Sequence, residues 1–417
     1  MFFGKIRTLT LLGIIMALTL SGSLFYTVHA ADVHSWSEKE IEILRSLWLY
    51  SLPPVPKNPS NAFADDPRAA ELGKKFFFDS RFSGNSKVSC GTCHRKDYAF
   101  TDNLPVAHGM GFTARRTMPL AGMVYMPWLF WDGRKDSLWS QALGPLESTV
   151  EHGISRTFCA KIIIEHYESE YEEVFGPIME MKAFRRMNAR PGLDDPEAYK
   201  AWVNIPFEQR SEVNGIYANM GKAIGAYVRT IMPGPARFDR YVEALLKNDR
   251  SRMEQVFSRK EASGLRLFIG KAKCTNCHTG PLFTNGEFHR IGVGGKDGKP
   301  ADRGRADGII QVLSDEFNCL GEYSDADPRD CAELRFIDTE TEKYVGGFKT
   351  PTLRNVADRP PYMHAGQLKT IQEVLRFYRS ADNPELGHGE LTDEELEELE
   401  AFLGSLSGPI VSLGEPM

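Results

Sequence analysis

Two short frames, CGTCH at Cys90 to His94 and CTNCH at Cys274 to His278, constrain this chain more than any other feature. Each reads Cys-x-x-Cys-His. Two thiols three residues apart can add to the two vinyl groups of one haem, and the adjacent His then lies under the iron as an axial ligand. A structural zinc site would need a second Cys or His pair at a suitable distance from each frame, and it has no use for the His that follows immediately. A redox Cys-x-x-Cys needs a βαβ setting that the Gly- and Lys-rich flanks do not offer. The expectation is two covalently bound haem c groups, one on Cys90, Cys93 and His94 and one on Cys274, Cys277 and His278.

The flanks repeat with the frames. ELGKKFFFD before the first and ASGLRLFIG before the second are apolar helical stretches that contain a Gly, and a Phe-Thr-Asp or Phe-Thr-Asn follows each frame. Such self-similarity points to a duplicated cytochrome c unit. With 417 residues, 42% of them hydrophobic and 25% charged, the chain can build two cores. Capping signals mark helices at Ser37-x-x-Glu40, Asp66-Pro67 and Thr392-x-x-Glu395, and strand-like alternation is scarce. Residues 52–66, 295–310 and 320–332 read as turn-rich loops.

The first thirty residues carry Lys5 and Arg7, then an apolar run, then Val28-His29-Ala30, the pattern of a signal peptide cleaved after Ala30. An uncleaved, surface-associated anchor is the rival reading. Loss of the leader leaves 48 basic and 56 acidic side chains, a net charge of -8 that argues against nucleic acid as a partner. In an exported chain the remaining cysteines should not be idle: Cys319 and Cys331 bracket one loop and are expected to form a disulfide, with Cys159 left as a buried thiol.

Three longer stretches, LGKKFFFDSRFSGNSKVSCGTCH, FWDGRKDSLWSQALGPLESTVEHG and GGFKTPTLRNVADRPPYMHAG, resemble the bacterial dihaem cytochrome c peroxidase family, which includes the MauG proteins. The likeness runs from about residue 52 to 408. It implies a mainly α fold of two cytochrome c-like haem domains in tandem, with long loops and little strand. The division would be a signal peptide over 1–30, an N-terminal peroxidatic haem domain over 31–250 and a C-terminal electron-transfer haem domain over 251–417.

The same resemblance assigns roles. The family spacing of Trp, Gln, Pro and Glu after the first haem falls on Trp131, Gln141, Pro145 and Glu151. Glu151 would move a proton between the two oxygens of hydrogen peroxide, Gln141 would hold the peroxide in line, Pro145 would shape the pocket, and Trp131 would relay electrons between the haems. The peroxidase branch carries a distal His sixteen residues past the first haem His; that position is Met110 here, with His108 two residues early, so an open, five-coordinate first iron is expected. At the second haem the peroxidase branch uses Met in T-L-E-E-A-V-R-V-M. This chain reads T-I-Q-E-V-L-R-F-Y, which puts Tyr378 in the ligand's place, as in the MauG branch. On helical periodicity alone Tyr378 is one more core aromatic beside Ile371, Val374 and Leu375. Family members also hold a calcium ion between the domains, and its ligands would fall on Thr117, Arg359 and Pro361, with His364 structural in the same segment. The MauG branch passes charge through a Trp two residues before the second haem motif, where this chain has Ala272.

The function implied is that of a periplasmic dihaem oxidoreductase that reacts with hydrogen peroxide and oxidises a Trp or Tyr side chain of an exported partner through a high-valent dihaem state. The alternatives are a peroxide scavenger fed by a small cytochrome c or cupredoxin, and a dihaem electron carrier without catalysis. Both a monomer and a homodimer are compatible with the sequence.

Overall fold

The computed structural model describes residues 32–179, 188–192, 195–294, 301–380 and 391–413, so the expected leader lies outside the described residues. The fold is mainly helical, as expected. Its helices are α1 (Glu38–Leu47), α2 (Pro67–Phe78), α3 (Cys90–Cys93), α4 (Leu138–Glu147), α5 (Arg156–His166), α6 (Glu168–Phe175), α7 (Pro196–Val203) and α8 (Phe207–Arg229). They continue with α9 (Arg237–Leu246), α10 (Arg250–Val256), α11 (Arg259–Ile269), α12 (Arg305–Ser314), α13 (Ala332–Arg335), α14 (Ile371–Ser380) and α15 (Asp393–Gly404). Strand is confined, among the described residues, to two antiparallel pairs: β1 (Ile231–Pro233) with β4 (Ile410–Ser412), and β2 (Phe288–His289) with β3 (Phe348–Lys349).

The capping signals start the helices they announced. Ser37 and Glu40 form a reciprocal capping box on α1, Thr392 and Glu395 do the same on α15, and Asp66 accepts from the Arg68 amide ahead of Pro67 on α2. One loop expectation fails in part. Residues 305–310 open α12, because Ala306, Ile309 and Val312 fall on one buried face that the surrounding Gly and Asp obscured.

The duplication is visible in how the helices cross. In α2, Gly73 lies so close to α8 that an added Cβ would sit 1.9 Å from the Ala223 carbonyl oxygen. Gly264 of α11 meets α15 in the same way, 1.9 Å from the Glu398 carbonyl oxygen. Each haem frame is thus preceded by a helix whose glycine admits the backbone of a partner helix.

Two aromatic cores follow. Phe76, Phe77, Phe82, Trp139 and Tyr217 fill the first, around α2, α4 and α8. Phe238, Phe257, Phe268, Phe283 and Phe402 fill the second, which also takes Leu44 and Leu47 from α1 and Tyr241 and Leu245 from α9. The second core therefore reaches back across residue 250 to the start of the described chain. A bidentate ion pair, Arg354 with Asp239, locks that return: Asp239 also accepts from the Leu49 amide, and Arg354 donates to the Leu47 carbonyl. Each fully buried ring contributes roughly 1.5–3 kcal/mol. A surface ion pair such as Lys247 with Glu243 contributes about 0–1 kcal/mol, so the cores decide the fold.

Cys319 and Cys331 are joined by a disulfide, and Cys159 is a buried free thiol; both expectations hold. Among the described residues no helix is long and apolar enough to cross a membrane.

Candidate dihaem site

Each Cys-x-x-Cys-His frame opens onto a cavity. The first, about 520 Å³, is lined by Cys93, His94, Trp131, Gln141, Pro145 and Glu151. Cys90 joins Cys93, His94, Gln141 and Glu151 along a smaller contiguous recess. The second, about 200 Å³, is lined by Cys274, Cys277, His278, Trp131 and Tyr378.

The two histidines are held alike. His94 Nδ1 pairs with the Phe100 carbonyl at 3.0 Å, and His278 Nδ1 with the Phe283 carbonyl at 2.9 Å. Phe100 and Phe283 both have left-handed backbone conformations, φ 57° and 52°, which turn those carbonyls back toward the rings. With Nδ1 committed to a carbonyl, Nε2 is the nitrogen left for iron, the usual arrangement for a ligating His. Burial lowers the pKa of both imidazoles, that of His278 to about 4, which keeps them in the neutral, ligating form. Burial also pushes Cys90, Cys93 and Cys274 up to about 12, and none of the four frame cysteines is in a disulfide. Among the described residues no group of three or more His, Cys, Asp or Glu side chains is gathered for a metal ion. Paired thiols, an anchored imidazole and an adjoining cavity fit haem c at both frames.

The residues expected above the first haem come together. Gln141 and Pro145 lie one turn apart on α4 and line the same cavity. Glu151 follows on a tight turn, its amide donating to the Ser148 carbonyl at 3.0 Å. Burial raises the pKa of its carboxyl, with the Ser148 hydrogen bond and the Arg134 charge opposing. The segment holding His108 and Met110 is pinned to this turn, with Met110 N donating to Glu151 O and Gly111 N to Val150 O, both at 2.9 Å. His108 stacks on Phe112, and Met110 is exposed over Gly84 and Gly153; neither side chain lines the first cavity. The geometry leaves Gln141, Pro145 and Glu151 to meet a ligand there.

Trp131 lines both cavities. Its indole Nε1 donates to the Arg116 carbonyl at 3.0 Å and its own carbonyl accepts from Lys349 N at 2.8 Å, which fixes the ring between the two sites. Tyr378 stands on α14 with Val374 and Leu375 on the cavity side, so the periodic core face and the cavity wall are one face. Burial pushes its phenol well up, with the Cys274 and Cys277 thiols adding to the shift.

The calcium set fits less well. Thr117 Oγ1 donates to Asp102 Oδ2 at 2.6 Å, and the Arg359 carbonyl accepts from Arg116 Nη1 at 2.9 Å. One expected ligand thus spends its proton on a carboxylate, and another already faces a guanidinium, a poor start for a cation that wants six to eight oxygens. His364 stacks on Phe348 at 3.9 Å and its carbonyl accepts from Arg116 N at 2.8 Å. Sequence reasoning missed Lys349 and Arg116, two buried cations at the cavities; Lys349 lies inside the quoted GGFKTPTLRN stretch, and only its charge amid apolar neighbours could have marked it.

Comparison with known proteins finds similar chains and a similar fold. A family model described as di-haem cytochrome c peroxidase matches residues 67–245. The methylamine utilization protein MauG of Methylorubrum extorquens is 28% identical over 361 residues, 84% of this chain and 81% of that protein. The cytochrome c551 peroxidase of Pseudomonas aeruginosa is 29% identical over 341 residues, 81% of this chain and 78% of that protein. Among solved structures, the diheme peroxidase BthA from Burkholderia thailandensis shares the fold with a TM-score of 0.60 at 24% identity, over 84% of this chain and 89% of that one.

Proposed function

We propose that the chain, which resembles the di-haem cytochrome c peroxidase family over most of its length, is a peroxidase-type oxidoreductase with two haem c groups that reduces hydrogen peroxide at the first site and spends the oxidising equivalents on a Trp or Tyr side chain of an exported partner protein. The observation that carries this reading over simple scavenging is Tyr378 in the wall of the second cavity, beside Cys274, Cys277 and His278. A phenolate ligand favours higher oxidation states, whereas a thioether favours the reduced metal.

When bound, the haems supply peroxide activation and electron transfer. The protein supplies the rest. Glu151 takes the proton from one peroxide oxygen at its carboxylate and returns it to the other, so that water leaves. Gln141 orients the peroxide from α4, and Pro145, one turn on, limits the space beside it. Trp131 carries electrons between the cavities it separates. Peroxide takes up two electrons and two protons to give two waters, and the partner side chain furnishes those electrons. The route outward does not pass through position 272, which is a buried Ala here.

The test is one equivalent of peroxide added to the fully oxidised dihaem protein with no donor present, followed by absorption and Mössbauer spectroscopy. Oxidation shared by both haems, and lost in Tyr378→Phe, is the expected result. Reactivity only after one haem has been reduced, with rapid turnover of a small reduced cytochrome c, would replace this reading with scavenging.

A further inference from the structure

Lys349 is 1% exposed, and its Nζ has no hydrogen-bond partner among the described residues. It is the second residue of β3, paired opposite Phe288, and its amide is tied to the Trp131 carbonyl. Like Trp131, it lines both haem cavities. Three other cations near Trp131 are satisfied from within the chain. Arg115 is held by Asp132 and Asp302, Arg134 by Asp132, and Arg305 by the Gly133 carbonyl with Trp128 and Phe288 stacked on it. Arg116 is satisfied only in part: Nη1 reaches the Arg359 carbonyl, while Nε and Nη2 have no acceptor among the described residues. Burial lowers the pKa of the Lys349 ammonium to about 8, and among the described residues no carboxylate offsets it.

A buried ammonium without an anion is costly enough that a fold retains one only where something else supplies the charge. Each haem c carries two carboxylates, and among the described residues no acidic side chain pairs with this lysine. We propose that Lys349 is the charge partner of carboxylates from both haems, one reached from each cavity, so that a single ammonium beside Trp131 binds the two cofactors and raises both reduction potentials. Arg116, whose Nε and Nη2 have no acceptor among the described residues, adds a second donor on the first cavity alone. The proposal concerns cofactor binding and holds whichever substrate is oxidised, so its failure leaves the reading of Tyr378 untouched.

The experiment is spectroelectrochemical titration of the dihaem protein and of its Lys349→Met, Lys349→Gln and Lys349→Arg variants, with haem content checked by pyridine haemochrome. Loss of the positive charge should move both midpoint potentials downward in the Met and Gln variants, and Arg should restore them most of the way. Potentials that stay in place, or a shift at one haem only, at full haem content, overturn the proposal. A second measurement needs no variant. Reduced-minus-oxidised infrared difference spectra of the wild-type protein should contain an ammonium bending band that moves on lysine-selective 15N labelling, and the lack of any labelled band overturns the proposal even if the variants do not assemble.

Discussion

Three glycine-to-alanine substitutions should separate with opposite signs, and the structure sets their sizes. At Gly73 a new Cβ lies 1.9 Å from the Ala223 oxygen, 2.3 Å from its carbonyl carbon and 2.8 Å from the Ile224 nitrogen. An ordinary contact begins near 3.4 Å, so α8 must retreat by about 1.5 Å. The atoms met are backbone and cannot rotate away, so overpacking should cost about 1–3 kcal/mol or more, ahead of the roughly 1 kcal/mol that Ala gains over Gly in a helix. Gly264→Ala meets the Glu398 oxygen at the same 1.9 Å and should cost as much. Gly215→Ala, in α8, meets nothing within 4 Å and keeps only the helical gain, so it should stabilise by up to about 1 kcal/mol. The disturbed helices also carry cavity walls: Ile224 and Val228 of α8 stand beside His94, and Leu399 of α15 stands at the second site. Gly73→Ala should therefore perturb the spectrum of the first haem and Gly264→Ala that of the second, with urea unfolding giving the free energies. Equal stability of Gly73→Ala and Gly215→Ala, or a perturbation at the opposite haem, would refute the reasoning.

Glu151→Gln keeps the shape of the side chain and removes the base, so the stopped-flow rate with peroxide should fall by about 10²–10⁴-fold, or roughly 3–5 kcal/mol of barrier. Since burial raises the pKa of this acid and the base form is the active one, the wild-type rate should climb with pH through a value above the usual carboxylate range, and that limb should vanish in the Gln variant. Replacing both Cys319 and Cys331 with Ser opens a loop whose ends are 12 residues apart and should lower unfolding stability by about 3 kcal/mol, measured in urea without reductant. Removing one partner of the buried Asp239–Arg354 pair, as in Asp239→Ala, should cost about 3–5 kcal/mol, because the guanidinium is left without its anion. Dialysis against a calcium chelator should leave the haem spectra and the melting curve unchanged, given the partners already on Thr117 and Arg359.

Much of the site could be read from the sequence because its chemistry is local. Two thiols and an imidazole within five residues define a haem attachment wherever they fold, and the capping boxes at Ser37 and Thr392 start helices from contacts three residues long. Gln141 and Pro145 share a helix face by their spacing alone, and the repeated Gly-bearing flanks announce a duplicated unit, whereas the helix crossings at Gly73 and Gly264 emerge only from packing. Tyr378 was ambiguous in the sequence because one helical face can serve a core and a cavity at once, and only packing put Cys274, Cys277 and His278 opposite it. Tertiary structure also decided what no period encodes: that Trp131 is clamped between the carbonyl of Arg116 and the amide of Lys349, that α1 returns to the second core, and that an arginine already occupies the Arg359 carbonyl. These contacts join residues far apart in the chain, where burial and partner choice depend on the whole fold. The sequence by itself determined which thiols and imidazoles are spaced for haem attachment; the packed chain determined which charges and rings line both cavities.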